Sequence, residues 1–182
     1  MNHEYCARRG RTFFFLLIFL INAYLQAEIK QLPFNCFAIN FELTLPGKPA
    51  VIYEAMTGDI SGWWDHSFSE KPYRFYIEAR PGGGFYEIFN EAGDGVLHAT
   101  VIVADYGKLL RFDGPLGLSG RAVKAVHTCQ FEDAGQDSTL LKFEGHFFGE
   151  TQENLPETIE KVWYHFLFER LKPFIERGDH LK

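Results

Sequence analysis

Two adjoining segments near the end of the chain alternate between inward apolar and outward polar side chains, and they constrain the fold more than any other feature. The inward positions of the first segment are Val123, Ala125, His127, Cys129 and Phe131. Those of the second are Leu141, Phe143, Gly145 and Phe147. A two-residue period with one apolar face is typical of a half-buried strand. If Phe131 pairs with Leu141 in a hairpin, His127 lies opposite Gly145.

Residues 156–177 change to a helical period. The stripe that they form consists of Ile159, Trp163, Phe166, Leu167, Leu171 and Phe174. Pro156 suits a first helical turn, Gly178 ends the helix, and Pro173 is placed to kink its last turn. Because antiparallel strands cannot bury an apolar face alone, this helix is predicted to lie across the sheet.

Five more strands are predicted upstream: Cys36–Leu45, Tyr73–Arg80, Phe85–Asn90, Val96–Asp105 and Leu109–Asp113. Two short helices are predicted after the first strand, over Lys48–Thr57 and from the Asp59 cap to Trp64. The chain has 182 residues, of which 46% are hydrophobic and 19 are Phe, which is enough for the interior of one domain. The predicted class is α+β, with seven antiparallel strands and a long C-terminal helix.

Three motifs accompany this order of elements: the tandem Trp63-Trp64, the hairpin Glu78–Phe85, and Trp163 followed by Leu167 and Leu171. The hairpin looks like an acidic–x–Arg–Pro–Gly–Gly–x–aromatic motif. Together they resemble the helix-grip fold of the START/SRPBCC superfamily, most closely the activator of heat-shock protein 90 ATPase homologue-like (AHSA-type) family. The resemblance covers about residues 37–177. It implies a curved sheet wrapped around the C-terminal helix, with an apolar cavity between them.

The uncharged faces predict which residues line that cavity. They are Phe41, Phe75, Phe112, Ala125, His127, Cys129, Phe143, Phe147, Trp163 and Leu167. Ala125 and Gly145 are small and are expected to supply the space. His127 and Cys129 could orient a ligand, but two ligands fall short of the three or four of a zinc site, so no metal or other cofactor is predicted.

These features favour a non-enzymatic protein that holds a small lipophilic molecule. No Ser–His–Asp ordering or HExxH motif is present, so no catalytic residue is assigned. A first alternative is an enzyme of the polyketide cyclase or aromatase type, which a perturbed acid or His in the cavity would favour. A second alternative is an interaction protein similar to the activators of chaperone ATPases. The partner of such a protein would be cytosolic.

The N-terminal segment has the pattern of a secretory signal peptide, predicted for residues 1–27. Arg8, Arg9 and Arg11 precede an apolar run from Phe13 to Ile21, which is shorter than the roughly 20 residues of a membrane span. The alternative is an uncleaved anchor. Cleavage leaves a leader, 28–35, and one domain, 36–178, in the periplasm or outside the cell.

Charge and cysteine placement narrow the partners and the chemistry. Residues 28–182 carry 15 basic and 23 acidic side chains, a net charge of −8, which disfavours nucleic acid and anionic membranes. No protein partner is assigned. Cys36 lies on the polar face of the first strand and Cys129 on the apolar face of the sixth, so the two are predicted to stay unpaired.

Overall fold

The structure, a computed structural model, describes residues 31–150 and 152–182, and the signal peptide predicted for residues 1–27 lies outside them. One antiparallel sheet holds eight strands: β1 Phe34–Pro46, β2 Gly58–Asp59, β3 Arg74–Ile77, β4 Gly84–Ile88, β5 Gly95–Asp105, β6 Leu109–Asp113, β7 Val123–Gly135 and β8 Ser138–Glu150. Their order across the sheet is β1-β8-β7-β6-β5-β4-β3-β2. The first strand begins two residues inside the predicted leader.

The predicted register of the β7–β8 hairpin is confirmed. Phe131 pairs with Leu141, and His127 lies opposite Gly145. Irregular pairing occurs between β4 and β5, between β5 and β6, and near the β7–β8 turn. Because bulges bend and twist a sheet, these positions allow it to curve around the C-terminal helix.

The second predicted helix is a strand and a turn. Residues Gly58–Asp59 form β2 against β3, and the backbone N–H of Ile60 donates to Phe75 O at 3.1 Å. One turn follows, in which the N–H groups of Trp63 and Trp64 both bond to Ile60 O. The edge of β3 offers backbone hydrogen-bond partners, and Gly58–Asp59 pair with that edge instead of forming a helix. The sheet therefore has eight strands rather than seven, with the same fold.

The first predicted helix is present as α1, Pro49–Ala55, and the long C-terminal helix runs in three parts. These are α2 Leu155–Tyr164, a π-helical segment His165–Leu171, and α3 Lys172–Glu176. The N–H of Lys172 bonds to Leu167 O, five residues back. Pro173 has no N–H and cannot continue the ladder of i→i−4 bonds, which accounts for the irregular helix just before it.

The wider turn shifts the apolar stripe by one residue. Beyond the π-helical segment, Ile175 is buried, while Phe174, which the helical period placed in the stripe, is only partly buried. Trp163, Leu167 and Leu171 are buried as predicted. The helix therefore covers the sheet with a continuous stripe despite its irregular geometry.

Both described cysteines are free, as predicted. Cys36 is exposed on β1 and Cys129 is buried on β7, and β8 lies between these two strands. In the part of the chain that the structure describes, no helix has the length and hydropathy that a membrane span requires.

Trp163 is expected to be the main anchor between helix and sheet. It is 4% exposed, and its ring lies 4.0 Å from that of Phe143, centroid to centroid. Trp163→Ala should lower the free energy of unfolding by about 3–5 kcal/mol. Tyr164→Ala, at a residue that is 48% exposed, should cost less than about 1 kcal/mol. Urea denaturation measures both, and equal losses would show that this helix face does not anchor the sheet.

Candidate functional site

A partly open cavity of about 550 Å³ lies between α2, the loop before β3 and the loop after β6. Leu155, Ile159 and Val162 line it from α2, and Leu116 and Leu118 line it from the loop after β6. The lining is mostly apolar. Pockets for small organic molecules commonly span about 300–1,000 Å³ and have few polar groups.

Aromatic rings form the end of the cavity nearest the loop before β3. Trp64 stacks on Phe166, with ring centroids 3.8 Å apart, and meets Trp163 edge to face at 6.1 Å. The indole N–H of Trp64 donates to His66 O at 3.0 Å. Because that N–H is occupied, Trp64 offers the cavity an apolar surface.

A buried carboxylate stands behind this wall. Glu87, on β4, has no exposed surface, and its oxygens accept hydrogen bonds from the N–H of Phe68 at 3.0 Å, the N–H of Ser69 at 3.1 Å and the hydroxyl of Ser67 at 2.6 Å. Burial alone would raise the pKa of Glu87. The hydrogen bonds outweigh burial and lower that pKa, so the carboxylate is ionised at neutral pH.

His98 joins this carboxylate to the cavity. Its Nε2 lies 3.1 Å from Glu87 Oε2, and its side chain is 5% exposed. His98 is one of the residues that line the cavity, and its Nδ1 is buried. Burial lowers the pKa of His98, although Glu87 and the backbone of Leu116 oppose that effect, so the ring is neutral at pH 7.

A bulge and a glycine place His98 at the cavity. Phe85 pairs with Ala99 and Tyr86 pairs with Leu97, so His98 is the extra residue of β5. A bulge redirects side chains at such a position. Gly114 then brings the next loop close, because a Cβ there would lie 2.4 Å from His98 O. A larger residue would hold the Pro115–Leu118 wall away from His98.

The residues predicted to line a cavity fall into two groups. Phe147 and Trp163 do line it. Seven others are buried in the core and do not line it: Phe75, Phe112, Ala125, His127, Cys129, Phe143 and Leu167. Phe41 is partly buried, with its ring 6.0 Å from that of Phe168. Ligand contact at these eight residues stays a prediction.

The space expected beside Ala125 and Gly145 is filled by aromatic rings. His127 stacks on Phe112 with ring centroids 4.9 Å apart and lies 5.3 Å from the ring of Phe147. A Cβ added at Gly145 would lie 2.9 Å from that same Phe147 ring. The small residues therefore accommodate the ring of Phe147.

His127 and Cys129 are sealed from solvent and held neutral. Burial lowers the pKa of His127 to about 3 and raises the pKa of Cys129 to about 12. Neither ring nitrogen of His127 has a hydrogen-bond partner among the described residues. This pair has the character of core packing rather than of a reactive site.

A polar network lies beside the cavity. His66 belongs to this network and also lines the cavity. Potential metal-binding atoms of Asp65, His66 and His165 lie within 4.8 Å of one another. Asp65 also pairs with Arg170 at 3.1 Å, and His165 bonds to Glu169 at 2.8 Å, which is the main reason that its pKa is raised. The raised pKa means that His165 gains a proton more readily than an ordinary histidine. Arg170 and protonated His165 can therefore supply positive charge to Asp65 without a metal ion.

The sequence contained one indication that Glu87 faces the interior and no indication that His98 does. Glu87 lies in phase with Phe85 on a short strand, so its carboxylate points inward, where an acid needs partners. His98 faces inward through the bulge, which the alternation of Val96–Asp105 does not reveal. The network around Asp65 joins residues 100 positions apart and has no local pattern.

No protein-family model matches this chain, and no curated protein matches it by sequence. Solved structures do share its architecture. The Aha1 dimer from Colwellia psychrerythraea is 21% identical, and the alignment covers 78% of this chain and 98% of that chain with a TM-score of 0.53.

Two further structures extend the comparison. A point mutant of norcoclaurine synthase from Thalictrum flavum, in complex with a transition-state analogue, is 14% identical over 82% of this chain and 99% of that chain, with a TM-score of 0.52. A protein of unknown function from Staphylococcus aureus is 14% identical over 80% and 97%, with a TM-score of 0.57. The chain has the helix-grip fold of START/SRPBCC proteins, which confirms the predicted resemblance at the level of fold.

The buried imidazole of His127 is expected to make stability depend on pH. Its pKa is about 3 in the folded protein, below the ordinary 6.5, so the unfolded chain binds more protons between these values. Stability is therefore lost as the pH falls through this window. Between pH 6.5 and 4.5 the loss from this group should be about 2–3 kcal/mol.

His127→Phe keeps an aromatic ring at this position and removes the titration. Urea denaturation at several pH values should give a flatter stability profile for this variant than for the wild type. His98 and the other titrating groups are present in both proteins, so the difference isolates His127. Parallel profiles would show that the imidazole is not held neutral.

Proposed function

We propose that this helix-grip protein binds a small, mostly apolar molecule in the cavity beneath the N-terminal part of its long helix. The observation that carries the proposal is the cavity itself, about 550 Å³ in volume and lined by aliphatic and aromatic side chains. The cavity lies beside α2 and the Trp64–Phe68 and Pro115–Leu118 loops, and two of the predicted residues, Phe147 and Trp163, line it.

The composition of the wall supports an apolar ligand. Trp64 and Phe166 form a stacked pair at one end, and half-buried Ile159 and Val162 face the cavity from α2. Burying a ligand against these groups removes apolar surface from water, which contributes about 25 cal/mol for each Å². His98 provides a polar contact that could orient the ligand.

Filling the cavity is expected to block binding. Val162→Trp adds a large ring at a half-buried cavity residue, whereas Lys161→Trp adds the same ring at an exposed residue of the same helix. Titration with an environment-sensitive apolar dye should show at least about tenfold weaker binding to Val162→Trp, since a loss of about 1.4 kcal/mol corresponds to tenfold. Lys161→Trp should bind as the wild type does.

Circular dichroism and urea denaturation establish that both variants are folded, because overpacking alone can cost about 1–3 kcal/mol. Unchanged dye affinity in a folded Val162→Trp protein would place binding elsewhere. Absence of dye binding to the wild type would remove the main support for a lipophilic ligand site.

A second candidate function is an enzyme that acts on the bound molecule, as the cyclase-like alternative expects. The specific observation in its favour is His98, a neutral buried imidazole oriented by a carboxylate at the cavity wall. A neutral imidazole can act as a general base toward a substrate. Norcoclaurine synthase, which has the same fold, is an enzyme. Under this alternative the molecule leaves the cavity chemically changed, whereas a binding protein releases it intact.

We also propose that the protein is exported, with residues 1–27 as a cleaved signal. Protein isolated from the periplasm or medium of its own host should begin at Glu28, as mass spectrometry of the intact chain would show. Leu16→Arg interrupts the apolar run and should leave an uncleaved chain inside the cell. An exported chain that keeps Met1 would favour the anchor instead.

A further inference from the structure

Three side chains beside the cavity bring potential metal ligands together. Asp65 Oδ1 lies 3.1 Å from His66 Nδ1 and 3.1 Å from His165 Nε2, and one donor atom from each of the three residues lies within 4.8 Å of the other two. In a tetrahedral zinc site with ligand distances of about 2.0–2.2 Å, neighbouring ligand atoms are about 3.3–3.5 Å apart. The measured separations are near that spacing, so small side-chain rotations would bring all three atoms onto one ion.

Both ring nitrogens of His165 face carboxylates. Its Nδ1 lies 2.8 Å from Glu169 Oε2, and its Nε2 lies 3.0 Å from Asp65 Oδ2. A neutral imidazole carries a single N–H and can donate to only one of these carboxylates. The other nitrogen therefore needs a cation, which is either a second proton or a metal ion. Metal-bound histidines commonly donate the remaining N–H to a carboxylate, and Glu169 is placed to accept it.

The second imidazole favours the metal ion over the proton. His66 Nδ1 faces the same oxygen of Asp65 that His165 Nε2 faces, so two imidazole nitrogens and one carboxylate oxygen come together. A proton bridges two atoms, whereas zinc takes three or four ligands from a protein. Two histidines and one carboxylate are a ligand set that zinc sites with an open position use.

The surroundings of the three residues suit a divalent cation. Arg170 Nε lies 3.1 Å from Asp65 Oδ2, which leaves Oδ1 for an ion, and carboxylates that bind metals are commonly hydrogen-bonded in this way. Asp65 and Glu169 together carry more negative charge than Arg170 offsets. The side chains of Asp65, His66 and His165 are 35%, 53% and 31% exposed, so water can reach the cluster and supply the remaining ligands.

We propose that Asp65, His66 and His165 bind a divalent transition-metal ion such as Zn²⁺, with Glu169 as the residue that positions the His165 ring. Without a metal ion, Arg170 and protonated His165 balance the charge of Asp65, and the ion takes the place of that proton. This inference goes beyond the proposed function, because metal binding at this cluster requires no apolar ligand. His66 also lines the cavity, so the ion would lie at the margin of the cavity.

Removal of single ligands tests the site. Isothermal titration calorimetry of the full chain without an affinity tag should show one Zn²⁺ bound per molecule. His165→Gln, His66→Gln and Asp65→Asn should each weaken Zn²⁺ binding at least about tenfold, the smallest loss typical even of residues that only support a ligand. His146→Gln removes an exposed histidine 2.9 Å from Glu144, outside the cluster, and should keep the wild-type affinity.

The role of Glu169 has a test of its own. Glu169→Ala removes the acceptor of the His165 N–H and should weaken Zn²⁺ binding by about tenfold or more. Glu169→Gln keeps an oxygen acceptor and should restore most of the affinity. Glu176→Ala removes an exposed acid from the same helical region, which lies 3.9 Å from Lys172, and should leave the affinity unchanged. Equal losses in Glu169→Ala and Glu176→Ala would show a general effect of charge and would overturn the positioning role.

Cobalt provides a direct view of the ligands, because the visible absorption of Co²⁺ depends on its coordination. The wild type should give the intense bands of four- or five-coordinate Co²⁺, and Zn²⁺ should abolish them by displacement. His165→Gln should give only the weak spectrum of hydrated Co²⁺, while circular dichroism shows that this variant is folded. If it does not fold, His66→Gln and Asp65→Asn, which change more exposed side chains, provide the same comparison.

The outcomes separate the metal site from the proposed function. If the wild type binds Zn²⁺ no more tightly than the ligand variants do, the cluster is a hydrogen-bond network only, and the proposal is wrong. If His146→Gln loses the affinity instead, the ion binds elsewhere, and the proposal is equally wrong. Binding of the apolar dye in the presence of a chelator tests the cavity alone, so the failure of either proposal leaves the other standing.

Discussion

The structure depends on one helix covering the apolar face of an eight-stranded sheet. Trp163, Leu167 and Leu171 form the centre of that contact, and Trp163 packs on Phe143 of the β7–β8 hairpin. A sheet curved by bulges is broader than one helix, so the helix cannot fill the whole concave side. The N-terminal part of the helix, the Trp64–Phe68 loop and the Pro115–Leu118 loop enclose the remaining space, and that space is the cavity.

Two buried histidines show how differently the fold treats the same side chain. His127 is packed among aromatic rings without a polar partner, and burial lowers its pKa to about 3. His98 is almost as buried, but its Nε2 lies 3.1 Å from Glu87 Oε2 and its ring lines the cavity. Because His127 is held neutral, the protein is expected to lose stability at acidic pH, and the side chain has the character of core packing. The second histidine is a polar group in the wall of a mostly apolar cavity.

Irregular backbone places the functional groups. The bulge in β5 turns His98 inward, Gly114 allows the following loop to approach His98, and the π-helical segment shifts the buried stripe from Phe174 to Ile175. The same segment contains His165, which bonds to Asp65 across 100 residues of sequence. The bulge and the π-helical segment each depart from regular geometry, and such departures are commonly found near binding sites.

The sequence by itself determined the class of fold, the β7–β8 register and the helix that covers the sheet, because a repeat of two or 3.6 residues decides which side chains face the core. It also separated Cys36 from Cys129. Only the tertiary structure decided where the cavity lies and which groups face it. His127 opposite Gly145 had the pattern of open space, but the Phe147 ring occupies that space. Local periodicity specifies a face, whereas the volume left beside that face depends on side chains that arrive from distant strands and loops.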